Sequence, residues 1–164
     1  MGIMESKTNF KEAVSVLNTD YKDNSITGVV LFIQKHDCVH IRIDIKGLNK
    51  NHLHGFHIHE TGDLREGCTS CCSHYNPTNA EHGDLDGGHA GDLGNIKTDK
   101  NGNCSISLKT NKFKVDELLG RSIIIHEDQD DLGLGTSQES KTTGNSGKRI
   151  ACAVIGISKN NICK

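Results

Sequence analysis

The chain has 164 residues, which suits a single domain large enough to form a core without an obligatory metal or bridge. Only 34% of the residues are hydrophobic and 4% aromatic, with no Trp, so the interior must be built mainly from Val, Ile and Leu on alternate strand positions; 18 glycines against one proline, Pro77, point to turns and loops rather than long helices. A net charge of -2 argues against nucleic acid or a membrane surface as the main partner, and no run approaches the ~18 apolar residues of a membrane span.

In chain order, residues 1–10 read as an N-terminal leader. Met1-Gly2-Ile3-Met4-Glu5-Ser6-Lys7 lacks a secretory apolar run, which makes the cytosol the default compartment. It also matches the short Met-Gly-x-x-x-Ser pattern for N-myristoylation. Alternating β-prone runs follow at Lys11 to Leu17, Ser25 to Gln34 and Cys38 to Lys46, where Val39, Ile41, Ile43 and Ile45 alternate with His40, Arg42 and Asp44. Period two with one apolar face predicts half-buried antiparallel strands. Further runs lie at Gly55 to Glu60, Leu93 to Thr98, Asn103 to Lys109, Arg121 to His126 and Arg149 to Ser158, with Asp99-Lys100-Asn101-Gly102 as a turn. About eight strands predict an all-β sandwich or barrel over residues 11–158, with 159–164 as a C-terminal tail. The stretches from Thr61 to about Asp92 and from Glu127 to about Lys148 are polar, Gly-rich and without periodicity. Loops this long in a compact domain usually carry function.

The first long stretch carries most of a histidine constellation. His57-Ile58-His59 places two imidazoles on one face of a strand, and His74, His82, His89, Asp92 and His126 follow where loops can fold back over them. Imidazole suits copper and zinc alike. The seven cysteines, at 38, 68, 71, 72, 104, 152 and 163, are too few and too irregular for a secreted disulfide scaffold. Cys71 and Cys72 beside His74 leave a zinc-thiolate site open, although a paired Cys-x-x-Cys arrangement is lacking.

Several longer motifs now add up. Gly55-Phe56-His57-Ile58-His59-Glu60, Gly67-Cys68-Thr69-Ser70, His74-Tyr75-Asn76-Pro77, His89-Ala90-Gly91-Asp92-Leu93-Gly94-Asn95, His126-Glu127, Asp130-Asp131-Leu132-Gly133 and Gly144-Asn145-Ser146-Gly147-Lys148-Arg149 resemble, in this order, the copper/zinc superoxide dismutases. The resemblance runs from about Lys11 to Ser158 and implies an eight-stranded antiparallel Greek-key β-barrel or sandwich. It implies copper held by His57, His59, His74 and His126, and zinc by His74, His82, His89 and Asp92, with His74 bridging. Superoxide disproportionation needs a metal that accepts and returns one electron, which copper can do and zinc cannot. Asp130 would join the copper ligand His57 to the zinc ligand His82 and fix both rings. Arg149 would guide the anionic substrate, and Cys68 and Cys152 would form the one disulfide. His54 would be structural, and His36, His40 and His52 ordinary surface residues.

The resemblance also implies a homodimer contacting through Gly62, Leu119, Gly120, Val154 and Ile157. The chain departs from the family pattern in a short segment between His82 and His89, in Gln138 and Thr142, which replace an acid and a lysine, and in Thr61, where many dimeric relatives have an aromatic residue. Lys141 and Lys148 are candidates to compensate. A catalytically silent metal-binding homologue would be expected to lack a ligand or the arginine, and none is missing. A copper-chaperone-like protein would need cysteine motifs at both ends, but residues 1–37 have no cysteine and the tail has only Cys163.

Overall fold

The computed structural model describes residues 10–163, so the N-myristoylation pattern and the leader up to residue 9 lie outside the described residues. The strands are β1 (Glu12–Tyr21), β2 (Asn24–Lys35), β3 (Cys38–Lys46), β4 (Leu53–His59), β5 (Arg65–Cys68), β6 (Asp92–Lys97), β7 (Cys104–Thr110), β8 (Ser122–His126), β9 (Arg149–Val154) and β10 (Gly156–Ile157). Two short helices, α1 (Val115–Leu118) and α2 (Gln138–Thr143), interrupt the connections. One antiparallel sheet has the order β10-β1-β2-β3-β7 and the other β6-β4-β8-β9; no ladder among the described residues closes them into a barrel. Among the same residues no helix is long and apolar enough to cross a membrane.

Ten strands replace the expected eight for two local reasons. The short β5 lies within the first long loop. The run from Arg149 to Ser158 divides because Ile155 is held by both its backbone groups: its N–H donates to the Arg121 carbonyl (2.8 Å) and its carbonyl accepts from Gly120 N–H (3.0 Å). The chain therefore leaves β8 at Val154 and joins β1 at Gly156, which pairs with Val14. Beyond β10, a 3-10 turn (Lys159–Asn161) packs back on the start of the domain, where the Asn161 amide oxygen accepts from Lys11 and Glu12 N–H (2.9 and 3.1 Å).

Alternation decides what lies between the sheets and what lies outside them. Val30, Phe32, Ile41, Ile43 and Ile45 of the first sheet meet Phe56, Ile58, Ile123 and Ile125 of the second in one buried cluster. Each such side chain contributes roughly 1.5–3 kcal/mol relative to leaving it exposed. In the second sheet the intervening residues face the other way: His57 pairs with Ile124, which pairs with Cys152. That outer face would be solvated in an ordinary sandwich, yet His57, His59, Ile124 and His126 are buried. The two long loops account for the difference, since both fold over it.

Candidate metal centre

Strand geometry supplies the first group of donors. His57 and His59 stand two residues apart on β4, and His126 ends β8, where a register shift between Ile125 and His126 sets it opposite Arg149. His74 arrives from the first loop through a bridge to His59, fixed by Glu60 N–H donating to the Ser73 carbonyl and Tyr75 N–H donating to the Ile58 carbonyl (3.0 and 2.8 Å). One donor atom from each of His57, His59, His74 and His126 lies within 4.8 Å of the others. The same holds for His74, His82, His89 and Asp92, so His74 belongs to both groups. Cys71 and Cys72 belong to neither; both are free thiols, the first buried and the second exposed.

Hydrogen bonds fix which ring nitrogen is left over. The His59 Nδ1 lies 2.9 Å from the Cys72 carbonyl and the His126 Nδ1 3.2 Å from the Gly147 carbonyl, so each must carry the proton and donate. His57 Nε2 donates to Asp130 Oδ2 (2.6 Å) and His82 Nε2 to Asp130 Oδ1 (2.8 Å). The opposite nitrogens of His57, His59 and His126 then carry lone pairs. His82 Nδ1 lies 3.0 Å from Asp92 Oδ2 within the second group, and among the described residues the buried side-chain atoms left without a hydrogen-bond partner include His57 Nδ1, His59 Nε2, His74 Nε2, His126 Nε2 and His54 Nε2. All but the last belong to the first donor group. His54 lies behind them, its Nδ1 donating to the His126 carbonyl (2.7 Å). A set of buried, unpartnered imidazole lone pairs is costly in a metal-free interior and is what a metal requires.

Spacing agrees with this reading. In the second group His74 Nδ1 lies 2.8 Å and His89 Nδ1 3.2 Å from Asp92 Oδ1, while the two Nδ1 atoms are 3.4 Å apart. Ligands at ~2.0–2.1 Å around a tetrahedral ion lie roughly 3.3 Å from one another. Burial, with the neighbouring imidazoles His74 and His126, pushes His57 well below the ordinary histidine range. Burial likewise lowers His59 and His74, and brings His126 to about 4. These rings are therefore neutral and able to ligate. At His82 burial is outweighed by the bonds to Asp130 and Asp92, which raise it to about 9. At Asp92 it is outweighed by the bonds from His74, His82 and His89, which hold the carboxyl well below its usual range.

The surroundings hold these groups in place. Asp130 is fully buried; its N–H donates to Asn95 Oδ1 and its carbonyl accepts from Asn95 Nδ2, both at 2.8 Å. Gly144 lies in the left-handed region (φ 71°), and a Cβ there would collide with Asp130 Oδ1 and His82 Nε2. Cys68 and Cys152 form a disulfide that ties the first loop to β9. Arg149 donates to the carbonyls of Cys68 (2.8 Å) and Cys72 (2.7 Å), and lines a cleft of about 750 Å³ together with His74, His89 and Lys141. Lys141 is engaged, its Nζ 2.5 Å from the Gly133 carbonyl, and Lys148 does not line the cleft.

The model of the copper/zinc superoxide dismutase family matches residues 26–155. The chain belongs to this family. A superoxide dismutase [Cu-Zn] of Paramecium bursaria Chlorella virus 1 is 49% identical over 146 residues, covering 86% of this chain and 78% of that protein. That of Schizosaccharomyces pombe is 43% identical over 152 residues (88% and 97%), and an extracellular superoxide dismutase [Cu-Zn] of Drosophila melanogaster 45% over 144 residues (82% and 78%). The solved structure of the clock protein EA4 superposes with a TM-score of 0.88 at 37% identity, over 95% of this chain and 100% of that one. Two parts of this superoxide dismutase site escaped the sequence reading, the Asn95 clasp on Asp130 and the carbonyl of Cys72, which receives both His59 and Arg149. The carbonyl has no sequence signature; Asn95 stood in a quoted motif without a role.

Proposed function

We propose that this protein is an active superoxide dismutase, an oxidoreductase that converts superoxide to dioxygen and hydrogen peroxide in antioxidant defence. Copper is assigned to His57, His59, His74 and His126, and zinc to His74, His82, His89 and Asp92. The observation that carries the reading is the pair of buried donor groups sharing His74, the first with its imidazole lone pairs unpartnered and the second converging on Asp92. Copper would supply the one-electron exchange that the reaction needs. Arg149, held by two carbonyls at the cleft wall, attracts and orients the anion. His74 Nε2, without a protein partner, is the atom that could hold a proton for the departing peroxide whenever it is not bound to a metal. Asp130 keeps His57 and His82 in the orientation and tautomer that ligation requires.

We further propose a cytosolic homodimer with the family's Greek-key barrel connectivity. Five free thiols beside a single disulfide among the described residues favour a reducing compartment, although some relatives are named extracellular. The dimer reading is supported by Val154 and Ile157, 40% and 46% exposed, and by Gly62 packing against Gly120 and Val154. The return of the chain to β7 beside β3 supports the connectivity.

A superoxide-consumption assay on metal-loaded protein tests the function. Guidance by Arg149 should be worth a factor of roughly 10 to 10³ in the second-order rate, so Arg149→Ala should slow capture while copper content is unchanged, and the wild-type rate should fall as salt rises. A salt-independent rate equal in Arg149→Ala would contradict this role, and no turnover by loaded wild type would contradict the function.

A further inference from the structure

The segment between His82 and His89 has neither helix nor strand to fix it, yet it must deliver His89 and Asp92 to one ion. Lys112, half-buried just beyond β7, fills that need. Its Nζ donates toward four backbone carbonyls in and just after this segment: Asp84 (3.3 Å), Gly87 (2.9 Å), His89 (2.8 Å) and Asp92 (2.8 Å). An ammonium has three N–H groups, so at least one is shared, and four carbonyl dipoles converge on a single point. Such convergence is repulsive without a cation at its centre. Two of the four carbonyls belong to His89 and Asp92 themselves. Asp92 completes the clasp, its Oδ2 accepting from Gly83 N–H (3.0 Å) and His89 N–H (2.9 Å).

We propose that Lys112 is a positioning residue for the second donor group, a built-in cation that fixes the irregular approach to β6 and so holds His89, and Asp92 at the start of that strand, in ligating geometry. This rests on the reading of that group as the zinc site. Lys112 touches no donor atom, so its effect reaches the metal only through the backbone of the two ligands. Its removal should therefore weaken zinc more than it weakens the fold.

The test is chelator-competition binding of zinc to copper-free protein at a temperature where each variant is folded, with the cobalt(II) absorption spectrum as a second readout of geometry. Wild type should bind a zinc ion at the second group and His89→Ala should lose that ion, whatever the first group takes up; failure of either would remove the zinc-site reading, and the proposal with it. With that reading standing, Lys112→Met should bind zinc about 10- to 100-fold more weakly, in the range for loss of a group supporting a metal ligand, and show an altered cobalt spectrum. Lys109→Met, which removes an exposed charge nearby, should bind as wild type does. If Lys112→Met does not fold, Lys112→Gln, which keeps two N–H donors without the charge, carries the test. Wild-type zinc affinity in the folded Lys112 variant would overturn the proposal.

Discussion

The two donor groups are held by different physics. Three of the four residues in the first, His57, His59 and His126, sit on strands whose ladders and core-facing neighbours Phe56, Ile58 and Ile125 fix their directions. In the second, His82 and His89 lie on irregular chain and depend on a few polar clasps: the side chains of Asp130 on His82 and of Lys112 on the carbonyls of His89 and Asp92, and the backbone bond from His82 N–H to the Lys141 carbonyl (3.1 Å). A strand-borne site is preorganised by the sheet, whereas a loop-borne site is only as ordered as its few polar contacts. His74 and Asp130 couple the two, one through shared membership and the other through a bond to each group.

The strongest way to break this contrast is Asp130→Ala. It leaves the Nε2 donors of His57 and His82 buried without an acceptor, at ~1–3 kcal/mol each, so urea unfolding of the metal-free protein should show a loss of roughly 2–6 kcal/mol. The ladder still sets the direction of the strand-borne His57, so copper affinity should fall less than zinc affinity at the loop-borne group, which falls about 10- to 100-fold. Equal loss of both metals would show that the groups are not held differently. Next in size is the disulfide, which spans 84 residues and anchors the loop that carries His74. A double Cys68→Ser, Cys152→Ser variant should lose roughly 2–4 kcal/mol in the same experiment. Wild-type stability would mean that the loop is anchored by its other bonds alone.

The smallest effect sharpens the comparison at one residue. Cys72 holds both His59 and Arg149 through its carbonyl from a backbone with φ 63° and ψ -145°, a region that glycine adopts freely and L-residues do not. Cys72→Gly should raise stability by about 1 kcal/mol without loss of copper. A lower urea midpoint would show that the thiol contributes packing that outweighs the strain.

Much of the first sheet was legible because β3 alternates Val39, Ile41, Ile43 and Ile45 with polar residues, a pattern that burial on one face enforces. The membership of the two donor groups was legible by resemblance, since the identity and order of these residues are carried by short motifs around His57, His89 and His126. What stayed hidden was set by backbone groups and distant partners. The turn between β9 and β10 depends on Gly120 and Arg121, which come from another part of the chain, and Lys112 at a strand end looks like any exposed lysine until the loop it clasps is in place. The six-residue α2, capped by Ser137 Oγ accepting from Ser140 N–H (3.1 Å), is too short to show periodicity in a polar stretch.

On the proposed assignment, strand-borne histidines bind the ion that turns over, while the loop-borne group holds a second ion that stays when the first is lost. Copper and zinc analysis of His126→Ala, with superoxide consumption measured on the same sample, tests it most directly. The variant should retain zinc at the wild-type level, lose copper, and lose turnover; full turnover after copper loading, or loss of zinc along with copper, would contradict the account.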